Sequence, residues 1–173
     1  MVVLFLFSGC FWQAQVKPQE NPFNIVFNCI DAKGFKAGGK IAFTPFKAGG
    51  RASADDQLDR VSLAIIKGVT DSLAQNKISL AIAASGEDAD LVFGGYVDEL
   101  SQNSRYQRVV LRRGKGRLVI SGQVWQSSMG TKAANFAAYA HLDAYKDVTE
   151  AAYELGLSLG NEIVGRAVKE NTP

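Results

Sequence analysis

Residues 117–142 carry the pattern that decides the fold, and they read RLVISGQVWQSSMGTKAANFAAYAHL. Side chains alternate between two faces in the first nine residues, which is typical of a strand with one buried face. Residues 127–132 then form a turn in which Gly130 takes a positive φ, and residues 134–142 return as the partner strand. The stretch therefore predicts a β-hairpin. The side chains predicted for one face of its first strand are Leu118, Ile120, Gly122 and Val124.

Two helices are predicted from apolar side chains that recur every three or four residues. The first spans residues 55–76, and acidic residues crowd its first turns, where the helix dipole favours negative charge. The second spans residues 147–168 and follows the hairpin. The stripe of the first helix is Leu58, Val61, Ile65, Val69, Ser72 and Leu73. The stripe of the second is Val148, Ala151, Ala152, Leu155, Leu159, Ile163, Val164 and Ala167.

Shorter β-prone runs supply the rest of the predicted sheet. We expect strands over residues 23–30, 40–46, 78–83 and 91–100, with a flexible loop over 47–54. The glycine pair at positions 94 and 95 predicts a bulge or a close approach of another chain segment. The fold class is therefore α/β: a single mixed β-sheet packed with two amphipathic helices, and a C-terminal β-hairpin followed by a terminal helix.

Composition narrows the functional classes. The chain has 173 residues, is 47% hydrophobic and carries a formal net charge of +2, which fits one domain and does not favour nucleic-acid binding. Its only potential soft metal ligands are Cys10, Cys29 and His141, too few for a usual zinc site. We expect no metal, no other cofactor and no nucleotide. Cys29 is interpreted as a small buried hydrophobic residue.

The N-terminus, MVVLFLFSGCFWQ, combines an apolar run with two small residues before Cys10. Phe7-Ser8-Gly9-Cys10 resembles the lipobox of bacterial lipoproteins, which implies a diacylglycerol and acyl chains such as palmitate on Cys10. Phe7 stands where Leu is usual, and no Lys or Arg precedes the apolar run, so we expect the natural start further upstream. The alternative is a buried N-terminal strand. We predict a signal peptide over 1–9, a lipidated Cys and flexible tether over 10–22, and one α/β domain over 23–173.

A basic cluster follows the strand at 91–100, and no acidic residue interrupts positions 101–119. It could bind an anionic surface or an acidic face of a partner, or it could only protect a sheet edge from aggregation. A cytoplasmic nucleic-acid module would need the N-terminal run to be part of the fold. The residues of this cluster are Arg105, Arg108, Arg112, Arg113, Lys115 and Arg117.

Two glycine patterns have a functional and a structural interpretation. Gly34 to Ile41, GFKAGGKI, has the spacing of a phosphate-binding loop, but it ends in Ile41 and precedes a predicted strand. Such a loop needs a hydroxyl residue there and a following helix, so we exclude nucleotide binding. Gly156 and Gly160 make a groove of small residues on the last helix, which favours close packing of that helix on its own sheet over docking of a partner.

For catalysis the sequence offers only one histidine. His141 lies at the end of a predicted strand close to Asp143, and no G-x-S-x-G motif is present. We therefore predict no catalytic residues. The alternative is a secreted enzyme acting on cell-wall material, with a pocket around His141 and a nearby carboxylate.

Several stretches together resemble a family. KIAFTPF, ADLVFGGYVDEL, GRLVISGQVWQSSMGTK and the final helix, within residues 40–168, are similar to small envelope lipoproteins with a domain like the N-terminal domain of TolB. Lipoprotein activators of penicillin-binding proteins and the curli secretion-channel lipoprotein share that plan. The resemblance implies a non-catalytic adaptor or assembly factor that docks on envelope proteins, with self-association left open. Phe11, rather than Asp, after Cys10 favours the periplasmic face of the outer membrane.

Overall fold

The computed structural model describes residues 23–31, 35, 38–52, 56–76, 81–101, 116–142 and 147–170. The predicted signal peptide, Cys10 and the tether lie outside these ranges. So do Asp143 and every member of the basic cluster except Arg117.

The described chain forms one seven-stranded sheet and two helices. The elements are β1 (Phe23–Cys29), β2 (Lys40–Phe43), β3 (Lys47–Arg51), α1 (Asp56–Gln75), β4 (Ala81–Ile82), β5 (Leu91–Ser101), β6 (Gly116–Gln126), β7 (Lys132–Leu142) and α2 (Val148–Glu170). The strand order is β1-β7-β6-β5-β2-β4, and β3 also pairs with β5. Pairing is antiparallel from β5 through β6 and β7 to β1, and parallel among β2, β3, β4 and β5. The predicted mixed α/β fold is confirmed.

Both helices lie on one side of the sheet, which we call the inner face. The predicted stripe of α1 is buried there, and so is that of α2 from Val148 to Val164, together with alternate residues of the central strands. Ala167, the last predicted member of the α2 stripe, lies outside the residues whose side chains the structure describes. The predicted alternation in β6 is confirmed, because Leu118, Ile120 and Val124 are fully buried. Gly130 has a φ of 61°, as the predicted turn requires.

Chain segments approach closely at several glycines. A Cβ on Gly156 would overlap the carbonyl oxygen of Ile65, and a Cβ on Gly160 would come within 2.5 Å of the Ser72 Cβ. Gly68 of α1 lies against the backbone of Tyr153 in the same way. The small-residue groove of α2 therefore packs against α1. Our expectation that it packs on the sheet was wrong, because the pattern of small residues shows that a neighbour is close without showing which one.

The second strand differs from its prediction. The predicted strand 40–46 ends at Phe43, and Pro45, which has no N–H to donate, interrupts the ladder. The chain then resumes as β3, where we expected a flexible loop over 47–54. Its sequence, KAGGR, has little intrinsic strand preference. Backbone pairing with Tyr96, Val97 and Glu99 of β5 makes it a strand.

The remaining strand predictions agree with the structure where it describes them. β1, β5, β6 and β7 match their predicted positions within a few residues. Of the predicted strand 78–83, the described part is Ala81–Ile82. Neither helix in the described ranges is both long and apolar enough to cross a membrane.

Candidate functional site

The side of the sheet opposite the helices, which we call the outer face, carries exposed side chains. Strand alternation places Tyr96 of β5, Ser121 of β6 and Ala137 of β7 side by side on this face. Tyr96 is 50% exposed, and Val26 of the neighbouring β1 is 52% exposed. In contrast, Val97, the next residue after Tyr96, is fully buried on the inner face. This face can therefore make contacts that the domain itself leaves unused.

A groove of about 890 Å³ runs over the middle of the outer face. Its floor lies at Gly94, where a Cβ would overlap the Thr44 hydroxyl and come within 3.4 Å of the Trp125 ring. The Thr44 hydroxyl donates to the Phe93 carbonyl at 3.3 Å, which fixes this wall of the groove. The groove is lined by Thr44, Pro45, Lys47, Gly94, Gly95, Tyr96, Ser121, Gly122, Gln123, Trp125, Lys132, Asn135 and Phe136.

Each end of the groove combines an aromatic ring with a lysine. Lys47 of β3 is in register with Tyr96, and Lys132 of β7 is in register with Trp125. Both lysines are exposed, and neither has an ion-pair partner among the described residues. Their charges are therefore available to a ligand.

Beneath the groove, the sheet is thin because two glycines face each other. Gly95 of β5 is in register with Gly122 of β6, and the Phe136 ring occupies the inner-face space that a Gly122 side chain would need. Phe136 stacks on Phe93 with ring centroids 4.9 Å apart and planes inclined by 5°. This packing makes the floor of the groove rigid.

The structure describes only Arg117 of the basic cluster. Arg117 lies within 3.9 Å of a Glu99 carboxylate oxygen, and Arg51 lies 3.8 Å from the same oxygen. The arginine side chains are 49% and 81% exposed, so each pair contributes little to stability. Arg117 is thus partly neutralised by Glu99. Arg105, Arg108, Arg112, Arg113 and Lys115 lie outside the described residues.

His141 is exposed on the outer face, at the end of β7. It is in register with Arg117, and its ring meets the Tyr139 ring edge-on at 5.2 Å. It does not line the groove or either of the two hollows described below.

The other candidate ligand residues also have structural surroundings. The prediction of Cys29 as a small buried hydrophobic residue holds only in part: the residue packs against the core but is half-buried, and its thiol donates to the Ala133 carbonyl at 3.9 Å. Within the described ranges, no three His, Cys, Asp or Glu side chains converge to hold a metal ion. Lys40 and Ile41, at the end of the glycine-rich motif, begin β2, so this motif leads into a strand.

A polar cluster between the helices was not predicted. Lys67 of α1 lies 2.6 Å from the Asp71 carboxylate, and Tyr153 of α2 donates its hydroxyl to the same carboxylate at 2.9 Å. These two hydrogen bonds lower the pKa of Asp71, the one from Lys67 having the larger effect. Hydrogen bonding to Asp71 raises the pKa of Lys67 and of Tyr153. The Lys67–Asp71 pair, four residues apart, was visible in the sequence, whereas its contact with Tyr153 was not.

Two shallow hollows border the helices. One, of about 560 Å³, lies between α1 and α2, where Leu63 is 67% exposed. It is lined by Arg60, Leu63, Ala64, Lys67, Thr149, Glu150 and Tyr153. The other, of about 460 Å³, lies between β1 and α2. Neither combines aromatic rings with free lysines as the groove does.

Comparison with known proteins shows a shared fold at low sequence identity. No protein-family model matches the chain, and no curated protein matches its sequence. The PelC dodecamer from Paraburkholderia phytofirmans is similar with a TM-score of 0.57 and 11% identity, over 82% of this chain and 96% of that one. A single-residue variant of that PelC, also a dodecamer, is similar with a TM-score of 0.57 and 12% identity over the same shares.

Lipoproteins are among the other structurally similar chains. Lipoprotein GNA1162 from Neisseria meningitidis has a TM-score of 0.43 and 10% identity, over 76% of this chain and 96% of that one. The likeness to PelC spans nearly the whole of the PelC chain and most of this one. The described domain therefore has the fold of a PelC subunit.

Proposed function

We propose that this chain is a lipid-anchored protein of the bacterial envelope that docks on other proteins and performs no catalysis. It acts as an adaptor or assembly factor at the periplasmic face of the outer membrane. The finer resemblance to the N-terminal domain of TolB belongs to the same proposal.

The observation that carries the proposal is the contrast between the two sides of the sheet. The inner face is filled by two helices, whereas the outer face exposes Tyr96 and Val26 next to a groove of about 890 Å³. Aromatic residues such as Tyr96 and Trp125 are enriched at protein contact sites relative to the rest of the surface. His141, on the same face, lies beside Arg117 and Tyr139 rather than in the groove.

The likeness to PelC supports a second part of the proposal, self-association. The similar PelC chains are dodecamers, and their fold extends over most of this chain. We therefore propose that this chain forms a homo-oligomer, and that its partners dock on the assembled form.

The anchor in this proposal is Cys10. A diacylglycerol on its thiol, with a further acyl chain on the freed amine, would provide the two lipid signals that stable membrane attachment needs. The predicted tether over residues 10–22 would let the domain stand clear of the membrane surface.

Fatty-acid labelling tests the anchor. Cells that express the chain are fed a clickable fatty acid, and the purified protein is assayed for label. The wild type and the matched control Cys29→Ala should be labelled, and Cys10→Ala should not. Unlabelled wild-type protein, or equal labelling of Cys10→Ala, would refute the anchor.

The mass of the purified protein, measured by light scattering, tests self-association. A monomer at micromolar concentration would contradict it.

The basic cluster is the second proposed contact region, for an acidic partner or an anionic surface. The double variant Arg112→Glu/Arg113→Glu should recover less of the proteins that crosslink to the wild type in membranes, because it reverses two positive charges. The matched control is Lys40→Glu, an exposed lysine outside the cluster. Unchanged recovery would leave the cluster with edge protection as its role.

A further inference from the structure

We propose that the groove on the outer face binds an extended acidic peptide segment of a partner protein. This inference rests on the proposed docking function and specifies the partner chemistry of that surface. It follows from the charge at the two ends of the groove, from its length and from the polar groups between the ends.

The charges of the two lysines favour an acidic ligand. Lys47 and Lys132 line the two ends of the groove and have no ion-pair partner among the described residues. Each lysine lies next to an aromatic ring, Tyr96 at one end and Trp125 at the other. A carboxylate can pair with the ammonium while the carbon chain that carries it packs on the ring.

The distance between the lysines requires an extended ligand. Along β5, Tyr96 and Val92, which is the residue in register with Trp125, are four positions apart, or about 13 Å. From β3 across β5 and β6 to β7 there are three strand spacings, or about 14 Å. The two backbone positions are thus about 20 Å apart on the diagonal, which an extended peptide covers with about six residues.

The middle of the groove suits a peptide backbone. Gln123 and Asn135 are in register on β6 and β7, and both line the groove. An amide side chain has both a donor and an acceptor, so it can pair with the N–H and the C=O of a peptide. The hydroxyls of Thr44 and Ser121 lie in the same lining.

The bound segment does not add a strand to the sheet. β5, β6 and β7 each have a neighbouring strand on both sides, so their backbone groups are used within the sheet. Recognition must therefore come from side chains, and the two lysines dominate it. An acidic glycan also carries spaced carboxylates, and the experiment distinguishes it from a peptide.

The experiment measures binding of defined probes to the unlipidated full chain. Trp12→Phe leaves Trp125 as the only tryptophan, and its emission reports occupation of the groove. The first probe is a blocked peptide of alternating valine and threonine with a glutamate at each end, six residues apart, so that both glutamates lie on the same face of the extended peptide. The second has lysines at both ends, and the third is an oligogalacturonate as the acidic glycan.

The glutamate peptide should bind roughly three- to tenfold more tightly than the lysine peptide, because it gains two exposed ion pairs where the lysine peptide meets two like charges. The double variant Lys47→Glu/Lys132→Glu should reverse this preference and bind the lysine peptide more tightly. The control variant Lys40→Glu should still prefer the glutamate peptide. Far-UV circular dichroism checks that the variants are folded. Equal affinity for both peptides, an unaltered preference in the double variant, or binding of the glycan alone would overturn the proposal. Because the assay needs no lipid, its result is independent of whether Cys10 is acylated.

Discussion

The two faces of one sheet behave as two different surfaces. On the inner face, every central strand contributes buried side chains, and Phe93 stacks on Phe136 with centroids 4.9 Å apart. On the outer face, the same strands carry Tyr96, Gln123 and Asn135 around an open groove. The comparison teaches that residues next to each other in the chain can have opposite surroundings, one packed in the core and the next exposed to solvent.

Substitution of one aromatic residue on each face of β5 gives the largest expected difference between the inner and the outer face. Phe93→Ala should lower the free energy of unfolding by about 3–5 kcal/mol, because Phe93 is fully buried and its removal leaves a cavity. Tyr96→Ala should lower it by less than about 1 kcal/mol, because Tyr96 is half exposed. Urea denaturation measures both. Equal losses would mean that the outer face is as tightly packed as the inner one.

The same contrast between packed and open positions recurs within α2. Gly156→Ala should destabilise the protein by about 2 kcal/mol, because the new Cβ would overlap the Ile65 carbonyl and force the helices apart. Gly165→Ala is the matched control, since nothing lies within 4 Å of its added Cβ. It should stabilise the helix by about 0.5–1 kcal/mol. Thermal unfolding followed by circular dichroism reports the two signs, and a stabilising Gly156→Ala would refute the close helix contact.

Gly130 shows that a position with free space around it can still be sensitive to substitution. Its added Cβ meets nothing within 4 Å, yet its φ of 61° is unfavourable for other residues. Gly130→Ala should cost about 1–2 kcal/mol. Gly50→Ala, also at an open position but without a positive φ, should be close to neutral. Urea denaturation measures the free energy of unfolding of both variants. Equally small losses would show that the turn accommodates a side chain by changing its backbone conformation.

Features of the fold that depend on one element alone could be predicted from the sequence, whereas features that depend on contacts between distant elements could not. Alternation in β6 and the helix stripes predicted which side chains are buried, because they reflect the period of one element. The strand character of β3 could not be predicted, because its KAGGR sequence takes that conformation only through pairing with β5. The groove was missed for the same reason: Lys47 and Lys132 are far apart in the chain, and only the sheet register aligns them with Tyr96 and Trp125.

The exposed cluster of Lys67, Asp71 and Tyr153 gives the smallest expected effect, and it tests whether the open side of the helices contributes to stability. The pKa of Asp71 is lower in the folded protein than its ordinary value, so its stabilising contribution is present above that ordinary value and is lost as the pH falls through the folded pKa. Wild-type stability should therefore decline more steeply than that of Asp71→Asn as the pH falls below about 4. The pKa of Lys67 and of Tyr153 is raised by the same contacts, so these contacts are also lost at alkaline pH, as the pH rises through the folded pKa of each group. Urea midpoints across this acidic range, with exposed Asp59→Asn as the matched control, measure the difference. If Asp71→Asn and Asp59→Asn change the acid profile equally, the contact with Tyr153 does not brace α1 against α2.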